Sequence, residues 1–343
     1  MEELGPHGHR SYLLYGATMF VILTLGLIGN FLTLIVLFHP QHRTKSMTPL
    51  MVNLCVADLL VCLFGYTVAV NYNTADFANT GSAPALCYWL AFINAATGLA
   101  SIGTLAVMAI ITYLGISRNE IAQQNRMTGK AEMLLLTGLP YLPPGIWLYA
   151  IVLTIPPAMG WNKFIPIPSR VSCHPDWYSQ DLSSRSYIIY LVTFGFFIPL
   201  VIILGSYGGI YRCIRNSSVP GANEDARVRQ IRSRNKTVRL VISMTLAYFV
   251  SWSPYCIVSL IGTAIGHESV SPSVSLVPEI MAKASVVYNP ILYVLLNAKF
   301  RVTLIQFFSW SRVGNVISEG SNADENTTGV MEIQTNSLRH RDI

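Results

Sequence analysis

The stretch Val274–Leu296 reads VSLVPEIMAKASVVYNPILYVLL, and only two side chains in this largely apolar run are charged. Its length suits a helix that crosses a bilayer, which takes about 20 residues. The two charges, Glu279 and Lys283, are four residues apart and lie on one face of such a helix. Ionisable residues at bilayer depth are costly and functional by default. A buried amine is suited to a Schiff base with an aldehyde cofactor; the alternative is that Lys283 is only a structural partner of Glu279.

The rest of the chain has the composition of a membrane protein. Of its 343 residues, 52% are hydrophobic and 12% charged, and a soluble domain carries roughly twice that charge. Seven apolar blocks are long enough to span a bilayer: Leu13–Phe38, Thr48–Tyr72, Leu86–Ile116, Met133–Met159, Tyr187–Tyr211, Leu240–Gly266 and Val274–Leu296. In lipid every backbone polar group must be bonded internally, so such blocks are helices. We therefore predict an all-α membrane protein, a seven-transmembrane helix bundle over residues 13–296.

The distribution of basic residues predicts the orientation of this bundle. Of the 23 lysines and arginines, 18 fall in segments that share one side, and four (Arg10, Lys163, Arg170 and Arg185) fall on the other. Because cytoplasmic segments are the basic ones, we predict a multi-pass protein of the cell membrane with an extracellular N-terminus and a cytoplasmic C-terminus. The net charge of +6 is a topology signal, and we expect no nucleic-acid partner.

The segments outside the bundle are predicted from their composition. Residues 1–12 form the extracellular N-terminus, and residues 216–229 lack apolar periodicity and are expected to be a mobile inner loop. Residues 299–308 have the pattern of a short amphipathic helix on the inner membrane surface, in contact with lipid. The polar tail, residues 309–343, is expected to be disordered.

One disulfide is expected among the six cysteines. Cys87, at the outer end of the third helix, and Cys173, in the second outer loop, both lie on the oxidising side of the membrane. Disulfides persist in such compartments, and this is the only pairing that the topology readily allows.

A set of motifs then resembles the rhodopsin-like G protein-coupled receptors over about residues 10–308. They are Gly-Asn30, Asn53-Leu-Cys-Val-Ala-Asp58-Leu, Trp147, Pro199, Tyr207, Trp252-Ser-Pro254-Tyr255 and Asn289-Pro290-Ile-Leu-Tyr293. Lys283 lies six residues before Asn289, which is the spacing typical of opsins, and residues 276–293 are most similar to the neuropsin group of non-visual opsins. Residues 160–177 resemble the outer-loop plug that caps retinal in opsins.

The resemblance implies a set of site residues. Retinal would be attached to Lys283 as a Schiff base, and the ligand pocket would be lined by Trp252, Tyr255, Phe196 and Gly98. The activation switch would comprise Asp58, Tyr207, Asn289, Pro290 and Tyr293. Asp58 is either a buried polar residue that bonds Asn30 and Asn289 or part of the family's sodium or water site. Trp252 is either core filling or the family's toggle. No catalytic or metal-binding residues are expected.

The chain departs from the opsin pattern at the counterion. The position that carries a carboxylate in visual opsins is Leu90, and the alternative position in the outer loop is Ile167. A buried Schiff base without an anion should lose its proton and then absorb in the ultraviolet. Glu279, one helical turn from Lys283, is a candidate for a relocated counterion; the alternative is that Glu279 faces the outer vestibule and the Schiff base is neutral.

A second departure concerns signalling. Where the family has an acidic residue, arginine and tyrosine at the inner end of helix three, this chain has Ile111-Thr112-Tyr113, and the family's acidic partner in helix six is replaced by Arg234. The resemblance implies a heterotrimeric G protein and arrestin as partners, and the missing arginine weakens the first of these.

Three hypotheses follow from the sequence. The first is a non-visual opsin that senses ultraviolet or short-wavelength light and signals to a G protein. The second is a retinal photoisomerase or retinal-binding opsin with weak or no coupling. The third, a peptide or amine receptor, ranks last because no acidic residue lies between Leu86 and Ile116. The apolar, proline-containing segment 133–144 is either a genuine loop insertion or an error at an exon boundary.

Overall fold

Helices that follow the seven predicted spans dominate the computed structural model, which describes residues 6–43, 45, 47–74, 83–124, 141–166, 172–216, 224–266 and 272–307. We number these helices one to seven in chain order. Their ranges are Pro6–Phe38 (one), Thr48–Val61 with Cys62–Tyr66 and Thr67–Thr74 (two), Ala83–Gln124 (three), Leu142–Thr154 (four), Leu182–Val192 with Thr193–Phe197 and Ile198–Asn216 (five), Glu224–Ile265 (six), and Pro272–Lys283 with Ser285–Leu296 (seven).

Most of these helices are long and apolar enough to cross a membrane. Five pass on length and hydropathy among the described residues, and the two halves of helix seven pass together although they are bent by 41°. Helix four is shorter, with 13 described residues, and a 3₁₀ turn, Pro156–Met159, follows it. Many large apolar side chains point outward from the bundle, as expected for a surface solvated by lipid tails.

Several boundaries differ from those expected from sequence. Helix one begins at Pro6, within the segment 1–12 that we expect to be extracellular. Helix six begins at Glu224, so the prediction of a mobile loop over residues 216–229 is wrong for its second half. The first part of the apolar segment 133–144 lies outside the described residues, and helix four begins at Leu142.

Helix seven is interrupted immediately after Lys283. Val287 donates its N–H to Ala284 rather than to Lys283, and the released carbonyl of Lys283 accepts from the hydroxyl of Tyr66 at 3.2 Å. Pro290 has no N–H to offer the carbonyl four residues earlier, that of Val286. Asn30 of helix one donates to that carbonyl at 2.9 Å instead. Side chains of helices one and two thus replace missing bonds of helix seven at the level of the lysine.

A short hairpin covers the end of the bundle that the sequence predicts to be extracellular, which we call the outer end. Strand β1 (Phe164–Pro166) pairs antiparallel with β2 (Cys173–Pro175), and Ile165 lies opposite His174. The predicted disulfide is confirmed, since Cys87 at the outer end of helix three is bonded to Cys173. The hairpin is therefore tied to helix three at the residue that precedes His174.

The remaining segment is described by itself. Residues 298–307 are helical, and the location of this segment on the inner membrane surface stays a prediction. The tail from residue 309 onward, which we expect to be disordered, lies outside the described residues.

Candidate functional site

An apolar cavity of about 140 Å³ lies beneath the hairpin between helices three, five, six and seven. Its wall includes all six residues predicted to bind the cofactor: Gly98, Phe196, Trp252, Tyr255, Glu279 and Lys283. The sequence places these residues on four different helices, and the fold brings them to one space.

The ammonium group of Lys283 has three hydrogen-bond partners although the residue is only 6% exposed. Nζ lies 2.8 Å from Oε1 of Glu279, donates to Oγ of Ser172 at 2.9 Å and donates to the hydroxyl of Tyr15 at 3.2 Å. An ammonium group has three protons to donate, so each has an acceptor. The rings of Tyr15 and Tyr66 lie 5.9 and 5.8 Å from Nζ, within the range of a cation–π attraction.

Glu279 is equally buried and shares its charge between two donors. Its Oε1 accepts from Lys283 and from the Tyr15 hydroxyl at 3.3 Å. Its Oε2 is buried and has no hydrogen-bond partner among the described residues. A buried ion pair is expensive to form unless additional hydrogen bonds satisfy it. Here Tyr15 bonds both members of the pair, which ties helix one to helix seven.

The apolar wall is aromatic. A methyl group built on Gly98 would lie 2.9 Å from two atoms of the Trp252 indole, so glycine lets the indole lie directly against helix three. The Trp252 ring is stacked on Tyr248 at 5.6 Å and is edge-on to Tyr255 at 5.9 Å. The ring of Phe196, in a π-helical turn of helix five, packs edge-on against Phe249 at 5.1 Å.

The hairpin contributes a buried imidazole to the same wall. His174 is 3% exposed and is stacked on Trp177 at 3.9 Å. Its Nδ1 lies 2.7 Å from the carbonyl of Pro175, while Nε2 is buried without a hydrogen-bond partner among the described residues. Burial lowers the pKa of His174, and the bond to Pro175 and the charge of Glu279 partly oppose that shift.

Several of these neighbours carry no family motif. Tyr15 and Tyr66 are two of 17 tyrosines, and nothing in their spacing points to Lys283. Ser172 and His174 flank Cys173, so the disulfide prediction places them in the right loop without indicating that they line the cavity.

The residues of the predicted activation switch fall into two groups. In the first, Asn289 donates to Asp58 at 3.0 Å, as the sequence suggests. Asn30, the other partner expected for Asp58, donates instead to the carbonyls of Gly26 and Val286. Pro290 packs against helix one, since a methyl group on Gly29 would lie 3.0 Å from its ring, and Tyr293 is fully buried one helical turn further inward.

The second group lies at the inner end of the bundle. Tyr207 of helix five is hydrogen-bonded to Thr245 of helix six at 3.1 Å. Tyr113, of the altered Ile111-Thr112-Tyr113 motif, packs in an apolar cluster between helices three, five and six. A methyl group on Gly209 would overlap the Tyr113 ring, so that glycine admits the ring against helix five. Thr112 is buried and donates to the carbonyl of Met108 in its own helix.

The two usual counterion positions offer no acid. Leu90 is buried, with 2% exposure, and Ile167 lies outside the described residues. Among the described residues that line the cavity, Glu279 is the one carboxylate.

Comparison with known proteins agrees with this arrangement. Residues 29–293 match the family described as 7 transmembrane receptor (rhodopsin family). The chain is 30% identical to the rhodopsin of Sargocentron spiniferum over 86% of its own length and 82% of that protein. It is also 30% identical to the GQ-coupled rhodopsin of Mizuhopecten yessoensis over 90% of its length, and it spans 62% of that longer protein.

The fold is also similar to that of a solved structure. The crystal structure of squid rhodopsin superposes with a TM-score of 0.73 at 24% identity and covers 88% of this chain and 86% of its own. The predicted seven-transmembrane helix bundle is confirmed, and the chain belongs to the opsins of the rhodopsin family of seven-transmembrane receptors.

Proposed function

We propose that this opsin is a photoreceptor that binds retinal covalently on Lys283, with Glu279 as the counterion. The observation that supports it most directly is the buried ammonium of Lys283, which lies at the wall of an apolar cavity with a carboxylate at 2.8 Å. A lysine that served only to pair Glu279 would not need a cavity beside it.

The residues of the cavity fit retinal. Gly98, Phe196, Trp252 and Tyr255 form an apolar, aromatic wall for a polyene, and the amine stands at the polar end. Retinal would supply an aldehyde that condenses with the amine, with loss of water, and a polyene that absorbs light and isomerises. The protein would supply the shape of the cavity and the charge at the nitrogen.

Glu279 provides the negative charge that the two usual positions lack. A carboxylate near the nitrogen favours its protonated, positively charged form over the neutral form that absorbs in the ultraviolet. Because a close anion stabilises a positive charge held at the nitrogen, we expect absorption at the short-wavelength end of the visible range.

Coupling to a heterotrimeric G protein is the proposed output. The relative from Mizuhopecten is by name GQ-coupled, and Tyr207, Asn289 and Tyr293 occupy positions that are typical of family members that signal. The proposed orientation, with the N-terminus outside, places the basic segment between helices five and six on the cytoplasmic side. Arrestin is a further expected partner.

A second candidate is a retinal photoisomerase with weak coupling. It is favoured by Thr112, which stands where the family has arginine and whose hydroxyl is bonded within its own helix. The two candidates share the retinal site and differ only in output.

One experiment tests the retinal site and the output in turn. The purified full chain is incubated with 11-cis-retinal, reduced with borohydride and digested, and the peptide that carries Lys283 is examined by mass spectrometry. We expect retinyl on Lys283 and none after Lys283→Ala. Lys163→Ala, a change at a lysine whose side chain is 63% exposed in the outer loop, is the matched control and should leave the label in place.

Light-dependent nucleotide exchange by a G protein in reconstituted membranes then separates the candidates. Exchange that depends on both light and Lys283 supports the photoreceptor. Retinal isomerisation without exchange supports the photoisomerase, and absence of retinyl on Lys283 refutes both.

A further inference from the structure

The ion pair that stabilises Lys283 also makes it unreactive. An amine attacks an aldehyde only in its neutral form, whereas Nζ has three hydrogen-bond acceptors, one of them a carboxylate oxygen at 2.8 Å, as suits an ammonium with three protons to donate. Attachment of any aldehyde at Lys283 therefore needs a group that removes a proton from Nζ. A proton passed to Glu279 would remove the negative charge that the proposed counterion supplies at 2.8 Å.

His174 has a vacant acceptor at the same wall. A carbonyl only accepts hydrogen bonds, so the contact with Pro175 places a proton on Nδ1 and leaves a lone pair on Nε2 of the neutral ring. Nε2 is buried without a partner among the described residues. The stack on Trp177 fixes the plane of the ring.

Ser172 connects the imidazole with the lysine. Ser172 directly precedes strand β2, His174 lies within it, and both residues line the cavity. The Ser172 hydroxyl accepts from Nζ at 2.9 Å and can donate its own proton onward. The cavity has room for a water molecule between polar partners.

We propose that His174 is the general base that accepts a proton from Lys283, through the Ser172 hydroxyl and one water, and so frees the amine to bond the aldehyde. The proposal rests on the proposed retinal site and assigns a residue to the step in which the aldehyde is attached to Lys283. In this step a proton leaves Nζ and a proton arrives at Nε2. The pair of Lys283 and Glu279 is replaced by a pair of charged His174 and Glu279, and the total charge of the cavity does not change.

The groups around His174 agree with this role. Among the described residues, the charged or titratable side chains near His174 include Glu279 and Lys283 of helix seven, Tyr255 of helix six, and Asp176 and Tyr178 of its own loop. The carboxylates of Glu279 and Asp176 both raise the pKa of His174, and burial, the larger effect, lowers it below its usual value. The ring is therefore neutral and ready to accept at neutral pH.

The test measures the rate at which Lys283 of the ligand-free full chain is modified. Hexanal with cyanoborohydride, and in parallel 11-cis-retinal with borohydride, are applied between pH 5 and 9, and the modified peptide is quantified by mass spectrometry. We expect the wild-type rate to fall below neutral pH as His174 becomes charged. In His174→Gln we expect a rate at least about 10²-fold lower, the usual contribution of a general base. That rate should rise steadily with pH, because hydroxide must then remove the proton.

His39→Gln makes the same chemical change at an exposed histidine and should leave the rate unchanged. A wild-type rate and pH profile in His174→Gln would overturn the proposal. Should that variant not fold, the ¹⁵N resonances of His174 in the ligand-free wild-type chain decide. Protonation at Nε2 whose midpoint pH is lower in Glu279→Gln than in the wild type supports the proposal. A ring that stays neutral down to pH 4 overturns it. Modification of wild-type Lys283 by hexanal but not by retinal would refute the retinal site and leave the role of His174 standing.

Discussion

Replacing Glu279 by glutamine tests the charge balance of the site. The change keeps the shape of the side chain and removes its charge 2.8 Å from Nζ. At that distance the attraction between two unit charges is about 6 kcal/mol for an effective dielectric constant of about 20. Loss of one partner from a buried pair usually costs about 3–5 kcal/mol, because the other charge is left uncompensated.

The surrounding acceptors place the expected effect at the lower end of that range. A protonated Schiff-base nitrogen has one proton to donate, and in the variant the hydroxyl of Tyr15 or of Ser172, each of which accepts from Nζ in the ligand-free site, can accept it. The rings of Tyr15 and Tyr66 still face the charge. We expect the balance between the charged and neutral nitrogen to move toward the neutral form by about 3 kcal/mol, or about 10²-fold.

The assay is the absorption spectrum of the retinal-loaded protein from pH 5 to 9. The wild type should show a visible band, and Glu279→Gln should show an ultraviolet band at neutral pH that moves to the visible only on acidification. Glu279→Asp should retain a visible band with a shifted maximum. Asp181→Asn removes a carboxylate from the outer loop, at the start of helix five, and should leave the spectrum unchanged. An unshifted visible band in Glu279→Gln at neutral pH would refute the role of Glu279.

Three further predictions concern packing and pH. Gly98→Ala would drive a methyl group against the Trp252 indole, so we expect overpacking to lower the unfolding temperature at a cost of about 1–3 kcal/mol. Gly209→Ala should have an effect of similar size, because the added methyl group would meet the ring of Tyr113 of helix three. The control is Gly205→Ala, whose methyl group would meet no atom within 4 Å and should not destabilise the protein. Equal unfolding temperatures for all three variants would contradict this packing. Because burial lowers the pKa of His174, the unfolded chain takes up a proton there before the folded chain does as the pH falls below about 6.5. Acidification from pH 7 to 5 should therefore lower the unfolding temperature of the wild type more than that of His174→Gln, and an equal loss in both would exclude a buried neutral ring.

The sequence predicts the bundle well because one physical rule decides it. Blocks of about 20 apolar residues must form helices in lipid, and the disulfide follows from which loops share a side of the membrane. The ends of the helices are harder, because polar segments can extend a helix beyond the membrane without an apolar signal. Helix six does so, beginning at Glu224 in a polar segment that gives no such signal.

Only part of the site can be predicted from the sequence, for a similar reason. The pair of Glu279 and Lys283 follows from helical spacing alone, and the aromatic wall follows from family motifs. Tyr15 and Ser172 are 268 and 111 residues from Lys283 along the chain. Such contacts depend on how helix one and the hairpin pack against helix seven, and no local pattern encodes that packing.

If Glu279 is the counterion, as proposed, its position changes what the ion pair can do on activation. In the opsins that this chain resembles, the usual counterion lies on helix three or in the outer loop, so separation of the pair loosens one element from another. Here both charges lie on helix seven, one turn apart, with the break at residue 284 immediately after the lysine. Loss of their attraction frees neither helix three nor helix six.

What ties this helix to its neighbours are the neutral partners of the pair. Tyr15 of helix one is hydrogen-bonded to both Glu279 and Lys283. Ser172, which directly precedes strand β2, accepts from Nζ, and Tyr66 of helix two donates to the carbonyl of Lys283. A proton that leaves the ammonium takes one of its three hydrogen bonds with it, so the contacts of Nζ with Tyr15, Ser172 and Glu279 must rearrange. On the proposed function, a change of charge at Lys283 is therefore expected to act first on helix one and on the segment that carries Ser172. Any movement of helix six is then expected to start at the cavity wall, where Trp252 lies against Gly98.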